Sequence, residues 1–163
     1  MQESGDQYVS RGGLKLEAAI KAFDINCDGL ICADFGCNIG GFTDCMLKFG
    51  AAKVYAVDTG YGTLAWTLRK DQRVVVMERT NALYAQCPEP VDLVVIDVAW
   101  TPQKLSVPAA GKWLKPGGMI ISLLKPVFEL AKLNPSKGGK PGPKSLAIEQ
   151  SEEIRDQVCT QLA

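Results

Sequence analysis

The sequence predicts an α/β fold in which a doubly wound, mostly parallel sheet carries helices on both faces. Short runs rich in valine and isoleucine alternate with segments of helical periodicity along the 163 residues. The runs are apolar at consecutive positions, which is typical of parallel strands buried on both faces. Right-handed crossovers through the intervening helices then place successive strands in parallel.

Five runs have the length and composition of buried strands. Each is short, apolar and bounded by turn residues or by a helical pattern. The predicted strands are Leu30–Phe35, Ala52–Val57, Arg73–Glu78, Val91–Asp97 and Met119–Leu124.

An N-terminal helical segment, residues 8–23, precedes the first strand. Its apolar stripe covers Gly12–Phe23, and Ser10 is its candidate cap. The next helix ends at Gly50, a residue type that commonly terminates helices. The predicted helices that follow the first one are Gly41–Gly50, Gly62–Lys70, Pro102–Leu114 and Leu146–Leu162.

The length predicts one domain over residues 1–163. Within it, Asn134–Ser145 is rich in Gly, Pro and Lys, a composition that predicts a mobile loop. The polar N-terminus lacks a secretory pattern, and no run reaches the roughly 18 apolar residues of a membrane helix. These features predict a cytoplasmic protein.

Residue types that are missing restrict the possible chemistry. The sequence contains no histidine, and none of its six cysteines forms a C-x-x-C pair. The common zinc patterns and histidine-dependent bases are therefore excluded, and we predict no metal site. In a reducing compartment the cysteines are expected to act as small buried hydrophobes.

The charge is balanced overall but uneven along the chain. The formal net charge is zero, which gives no general argument for nucleic-acid binding. Between Thr101 and Ser145, however, the sequence has eight lysines and only one acidic residue, Glu129. This stretch is either a solvated surface or a basic face for a polyanion.

A glycine-rich segment follows the first predicted strand, where open parallel sheets bind ligands. Its three glycines, Gly36, Gly40 and Gly41, form a tight turn or allow a ligand to approach the backbone. The spacing of Gly36 and Gly40 does not fit the dinucleotide fingerprint, and the sequence has no G-K-[ST] phosphate loop. Asp58, at the end of the next strand, can accept two hydrogen bonds from a ribose diol.

These features favour a nucleoside ligand without a pyrophosphate, and S-adenosylmethionine fits them. The glycines would let the backbone approach its amino-acid part, Asp58 would bind the ribose, and Asn81 or its neighbours would contact the adenine. The candidate cofactor-binding residues are Asp34, Gly36, Cys37, Asn38, Gly40, Gly41, Phe42, Asp58, Asn81 and Asp97.

Several motifs resemble one known family in the same order along the chain. They are YVSRGGLKLEAAI, GGFTDCMLKFGAAKVYAVDTGYGTLAWTLR, ERTN, DLVVIDVAW and LLKPVFE. Together they resemble the haemolysin-A-type, TlyA-like branch of the FtsJ-like methyltransferases. The resemblance implies a class I (Rossmann-like) fold, S-adenosylmethionine as cofactor, and 2′-O-methylation of ribosomal RNA, with the RNA or a ribosomal subunit as partner.

The family's Lys-Asp-Lys-Glu tetrad maps in part onto this sequence. The resemblance places its lysines on Lys15 and Lys125 and its aspartate on Asp97. Its glutamate would follow in a C-terminal strand hairpin, which this sequence does not reach, and Glu129 does not occupy the matching place. Lys125 would then orient or deprotonate the ribose hydroxyl, with Asp97 and Lys15 as electrostatic partners.

Other functions remain open at this point. One is a catalytically impaired module that binds S-adenosylmethionine or RNA, another is a haemolysin-like protein of different function, and a third is a methyltransferase for proteins or small molecules. The missing hairpin also predicts an exposed edge on the fifth strand, which leaves self-association open.

Overall fold

The computed structural model describes residues 7–99, 101–133 and 148–162 and contains one five-stranded, wholly parallel sheet. The strand order is β3-β2-β1-β4-β5. The strands are β1 (Ile31–Phe35), β2 (Lys53–Val57), β3 (Val74–Met77), β4 (Val91–Ile96) and β5 (Leu114–Ser122). The helices are α1 (Gly12–Ala22), α2 (Gly41–Lys48), α3 (Trp66–Arg69), α4 (Gln103–Gly111), α5 (Pro126–Leu133) and α6 (Ile148–Leu162). The predicted α/β fold class is confirmed.

The central strands separate two hydrophobic cores because their side chains alternate between the faces of the sheet. In β1, Cys32 belongs to the core under α1 and α2, whereas Phe35 belongs to the opposite core with Trp113. The Phe35 and Trp113 rings pack edge to face with centroids 5.0 Å apart. Helix α6 packs against α4 and α5. The sheet is therefore covered on both faces, as the apolar runs predicted.

The last strand differs from its prediction. β5 begins at Leu114 instead of Met119 and ends at Ser122 instead of Leu124. Its pairing with β4 shifts register between Val91 and Leu93. The segment inside that irregularity contains Pro and two Gly, which interrupts the apolar pattern without ending the strand. β5 lies at the edge of the sheet.

Two helices are at least four residues shorter than predicted, and one helix was not predicted. The predicted helix Gly62–Lys70 contracts to the four residues of α3, because Gly62 has a left-handed φ of +74° and Ala65 is extended, with its N–H donating a 3.0 Å hydrogen bond to the carbonyl of Ile39. The predicted helix Pro102–Leu114 ends at Gly111. α5 occupies a segment for which no element was predicted.

The N-terminal helical segment also starts later than residue 8. α1 begins at Gly12 after Arg11, and no side chain, including that of Ser10, caps it. The prediction of a Ser10 cap was therefore wrong. The residues before α1 are instead fixed on α2, where the Asp44 carboxylate accepts a 2.8 Å hydrogen bond from the Val9 N–H.

No helix within the described ranges combines the length and apolar character needed to cross a bilayer. The predicted mobile loop, Asn134–Ser145, lies outside the described residues.

Candidate active site

A cavity of about 980 Å³ lies at the carboxyl ends of the central strands. This is where parallel α/β sheets bind ligands, and small-molecule sites span roughly 300–1,000 Å³. The cavity is lined by most of the predicted site residues, namely Lys15, Gly36, Cys37, Asn38, Gly41, Phe42, Asp58, Asn81, Asp97 and Lys125. Two predicted residues, Asp34 and Gly40, do not line it.

Two glycines of the glycine-rich loop are required by the packing of the loop against its neighbours. Gly36 has a φ of +88°, and a Cβ there would lie 2.7 Å from the carbonyl oxygen of Asp97. Gly40 has a φ of +103°, and a Cβ there would lie 2.3 Å from Leu68 Cδ1. Both positions require glycine for backbone conformation and close packing, whatever ligand enters.

Asp58 connects the glycine-rich loop to the loop after β2. Its Oδ2 accepts a 2.9 Å hydrogen bond from the Asn38 N–H, and its Oδ1 accepts a 2.7 Å hydrogen bond from the Gly60 N–H. Asn38 has a left-handed φ of 48°, so this contact stabilises a conformation that few side chains favour. Each carboxylate oxygen has a second acceptor position, so Asp58 can still bind a ribose diol.

The neighbouring wall is supplied by the segment after β3. Asn81 uses its own Oδ1 to accept a 3.0 Å hydrogen bond from the Leu83 N–H, which turns the chain along the cavity. Ala82 and Leu83 also line this wall and give it an apolar surface. That surface suits a flat heterocycle better than a charged group.

The three predicted catalytic residues come together from distant parts of the chain. Asp97 follows β4 and Lys125 follows β5, and the Lys125 ammonium forms an ion pair with Asp97 Oδ1. That oxygen is shielded from solvent. Lys15, on α1, lines the same cavity. These three residues therefore place two cations and one carboxylate on the lining of one cavity.

Asp34 lies behind the cavity wall, fully buried on the α2 face of β1. Its Oδ2 accepts a 2.7 Å hydrogen bond from the Thr43 hydroxyl, while its Oδ1 has no hydrogen-bond partner among the described residues. The pKa of Asp34 is raised to about 7, mainly by burial and also by the charges of Asp97 and Asp58, while the hydrogen bonds from Thr43 act in the opposite direction. At this place Asp34 supports the wall.

Cys37 lines the cavity as a neutral thiol. Burial is the main cause that raises its pKa, and the nearby Asp34 and Asp58 carboxylates raise it further. All six cysteines are free, and four of them are buried: Cys27, Cys32, Cys37 and Cys45. Their placement agrees with the prediction of small buried hydrophobes for those four, whereas Cys159 is exposed.

Sequence reasoning missed the residues that complete the walls. Ser10, Arg11 and Gly12 line the cavity beside Lys15, and Thr80 lines it beside Asn81. The first three belong to the SRGG stretch, whose two adjacent glycines before a helix could have drawn attention. A Cβ on the second of these glycines, Gly13, would lie 2.3 Å from the Tyr8 ring, so close packing explains it.

These residues fit S-adenosylmethionine. The cavity offers an acceptor for a ribose at Asp58, an apolar wall at Leu83, and backbone of the glycine-rich loop for the amino-acid end.

Comparisons with known proteins agree with this geometry. The chain matches the FtsJ-like methyltransferase family over residues 8–162. It is 45% identical over 141 residues to the 16S/23S rRNA (cytidine-2'-O)-methyltransferase TlyA of Mycobacterium tuberculosis, covering 84% of this chain and 52% of that protein.

Solved structures show the same fold. A "putative hemolysin from Lactococcus lactis" superposes with a TM-score of 0.84 at 35% identity, covering 96% of this chain and 75% of that one. An S-adenosylmethionine dependent methyltransferase from Mesorhizobium loti superposes with a TM-score of 0.58 at 20% identity, covering 69% and 54% of the two chains.

The chain spans about half the length of the curated relatives it matches. The family match and the shared fold imply S-adenosylmethionine as the cofactor of this domain. On the match that covers nearly its whole length, the chain belongs to the FtsJ-like methyltransferase family.

Proposed function

We propose that this chain is the methyl-transfer domain of an S-adenosylmethionine-dependent ribosomal RNA methyltransferase that modifies a ribose 2′-hydroxyl. The observation that carries the proposal is the ion pair between Lys125 and Asp97 on the wall of the cavity that Asp58 and Lys15 also line. The relative TlyA, named for cytidine-2'-O-methylation of 16S and 23S rRNA, supports this substrate class.

The chemistry required of the protein is mainly positioning. The cofactor supplies an activated methyl group, and a ribose hydroxyl is a weak nucleophile that must approach it in line. An ammonium has three N–H donors, and Asp97 needs only one of those of Lys125. The others can orient the hydroxyl oxygen and stabilise the negative charge that develops on it.

Each of the other residues has a defined part in this scheme. Asp97 holds the Lys125 ammonium at the cavity wall, and Lys15 adds a second positive charge there. The Lys125 ammonium has no lone pair with which to accept a proton, so the hydroxyl proton leaves to water next to it as the methyl group is bound. Asp58 and the loop held by it bind the ribose and the amino-acid end of the cofactor.

The cation-rich site and the lysines between residues 101 and 145 also suit a polyanion. We propose that the lysines of this stretch other than Lys115, which is paired with Asp92, and Lys125 contact RNA phosphates. Among them, Lys137, Lys140 and Lys144 lie outside the described residues. A ribosomal RNA substrate would place the protein in the cytoplasm. Association of two copies along the β5 edge stays a prediction.

Two measurements on the purified chain test the proposed function. Calorimetry determines whether S-adenosylmethionine binds, and a radiolabelled methyl assay with ribosomal RNA and assembled subunits determines whether transfer follows. Alkaline hydrolysis of the product identifies 2′-O-methylation, because a methylated 2′-oxygen blocks cleavage at the modified ribose. Binding without transfer to either substrate would support a binding module instead, and transfer to a base would contradict the ribose assignment.

A further inference from the structure

A buried polar network holds the chain segments on both sides of Lys125. Gln103, the first residue of α4, is 4% exposed. Its side-chain amide donates a 3.3 Å hydrogen bond to the carbonyl of Leu123, and its side-chain oxygen accepts a hydrogen bond from the hydroxyl of Ser122. Gln103 thereby holds Ser122, the last residue of β5, and Leu123, which lies two residues before Lys125.

Gln103 is also held by a residue that follows Lys125 in the sequence. Glu129, on α5, is 6% exposed, and its Oε1 accepts a 2.9 Å hydrogen bond from the backbone N–H of Gln103. That N–H is one of the unsatisfied donors at the start of α4, where a negative charge is favourable. We call Gln103 and Glu129 together the Gln103 bracket.

The bracket restrains Lys125 from both directions along the chain. On one side, the Leu123 N–H also donates 2.9 Å to the carbonyl of Ile96, the residue before Asp97. On the other side, the Glu129 N–H donates 3.2 Å to the carbonyl of Lys125 itself. The backbone of Lys125 is thus fixed relative to the end of β4 from which Asp97 extends.

Burying a carboxylate costs the free energy of its hydration, which an apolar side chain of the same size would not lose. Glu129 is not among the residues that line the cavity, and its carboxylate bonds the backbone at the start of α4 instead. The hydrogen bond from the Gln103 N–H to Glu129 connects α5 to the start of α4. α5 begins next to Lys125, and α4 follows the loop that contains Asp97.

From these contacts we infer that Gln103 and Glu129 are positioning residues for methyl transfer, which hold the Lys125 ammonium against Asp97. The inference rests on the proposed function of Lys125. It predicts that loss of the bracket lowers the rate of the chemical step and leaves cofactor binding intact, because Asp58 and the glycine-rich loop are not attached to the bracket.

The test compares Glu129→Ala with Glu129→Gln in the full chain. The glutamine oxygen can still accept from the Gln103 N–H, so Glu129→Gln should retain most of the rate. Glu129→Ala should lower kcat by roughly 10- to 100-fold, the scale on which small misplacements of reacting groups slow enzymes. The KM for S-adenosylmethionine should stay at the wild-type value in both variants.

A matched control separates positioning from stability. Asp92 likewise accepts a backbone hydrogen bond, 2.9 Å from the Ile31 N–H, but at the amino ends of β1 and β4, away from the cavity. Asp92→Ala should lower the free energy of unfolding without changing kcat. If Glu129→Ala behaves in the same way, the inference is overturned.

A readout independent of catalysis completes the test. Acetylation of Lys125 by an N-hydroxysuccinimide ester, followed by mass spectrometry, reports how firmly the amine is held. It should be several-fold faster in Glu129→Ala than in the wild type or Glu129→Gln, and equal rates in all three would overturn the inference. If Lys125→Ala transfers methyl groups normally, the proposed function of Lys125 fails, while acetylation still decides whether the bracket holds the amine.

Discussion

Gly36 lies directly against the backbone of Asp97: a Cβ on Gly36 would be 2.7 Å from the Asp97 carbonyl oxygen. The loop that is proposed to bind the cofactor and the residue proposed to hold the catalytic lysine are therefore in contact. A side chain at position 36 disturbs both at once.

Gly36→Ala should therefore destabilise the fold and impair the site. The variant combines a left-handed φ of +88° with a backbone clash, for which we expect a loss of about 2–4 kcal/mol. Gly29→Ala is the control, since Gly29 has a φ of +73° but nothing within 4 Å of an added Cβ. Urea unfolding and calorimetry with S-adenosylhomocysteine measure the two effects. Equal losses of stability in both variants would contradict the packing argument.

Asp58→Asn should weaken cofactor binding. The two oxygens of Asp58 accept the Asn38 and Gly60 N–H groups, whereas asparagine has one acceptor oxygen and a donor NH₂, so we expect the dissociation constant to rise by about 10-fold or more. Asp71→Asn provides the control, because Asp71 also accepts from the N–H two residues on, that of Arg73, at an exposed site. An unchanged dissociation constant in Asp58→Asn would remove Asp58 from the cofactor site.

The raised pKa of Asp34 predicts that the free energy of unfolding depends on pH. Its pKa rises from an ordinary 3.8 to about 7 on folding, mainly through burial, so the folded state binds a proton that the unfolded state releases. The resulting stabilisation is complete below the ordinary pKa and is lost as the pH rises to about 7. Asp34→Asn cannot titrate, so the wild type should lose stability relative to it between pH 4 and 7, by at most about 4 kcal/mol.

Urea unfolding at pH 5, 6, 7 and 8 checks this difference. The control is Asp92→Asn, because hydrogen bonds from Lys115 and from the Ile31 N–H lower the pKa of Asp92. The stabilisation that Asp92 provides is lost only on acidification below its ordinary pKa, so this control should be flat over the same range. A wild-type minus Asp34→Asn difference that is also flat would mean that Asp34 is not protonated by folding.

RNA binding should depend steeply on salt. Replacing Lys137, Lys140 and Lys144 together with glutamine removes three cations, and the slope of log affinity against log salt should fall by up to about 2. Filter binding with ribosomal RNA between low and physiological salt measures the slope. A slope that does not change would place the RNA contact elsewhere on the protein.

The sequence predicted the central sheet well because buried parallel strands produce continuous apolar runs, as Val91–Asp97 illustrates. It predicted β5 poorly because the register irregularity puts Pro116, Gly117 and Gly118 inside the strand, where pattern reasoning expects a turn. α3 is short for a tertiary reason, since the Ile39 carbonyl accepts the N–H of Ala65 and holds that residue in an extended conformation. Such contacts between distant segments leave no local signal.

The site shows the same division. The family resemblance implied that Lys15, Asp97 and Lys125 share one site, and in the structure all three line the same cavity. It did not predict Gln103 or the part played by Glu129, because a helix residue that bonds the end of a strand has no characteristic spacing. Asp34 and Gly40 were expected at the ligand but support the wall from behind, where their burial and packing explain them.

The central claim is that Lys125, held by Asp97, promotes methyl transfer to a ribose hydroxyl, and Lys125→Ala tests it most directly. Lys115→Ala is the matched control, since Lys115 forms a 2.8 Å ion pair with Asp92 outside the cavity lining. With radiolabelled S-adenosylmethionine and ribosomal RNA, Lys125→Ala should lose roughly 10²- to 10⁴-fold in transfer rate while binding S-adenosylhomocysteine normally. Lys115→Ala should match the wild type. Transfer by Lys125→Ala at the wild-type rate would contradict the account.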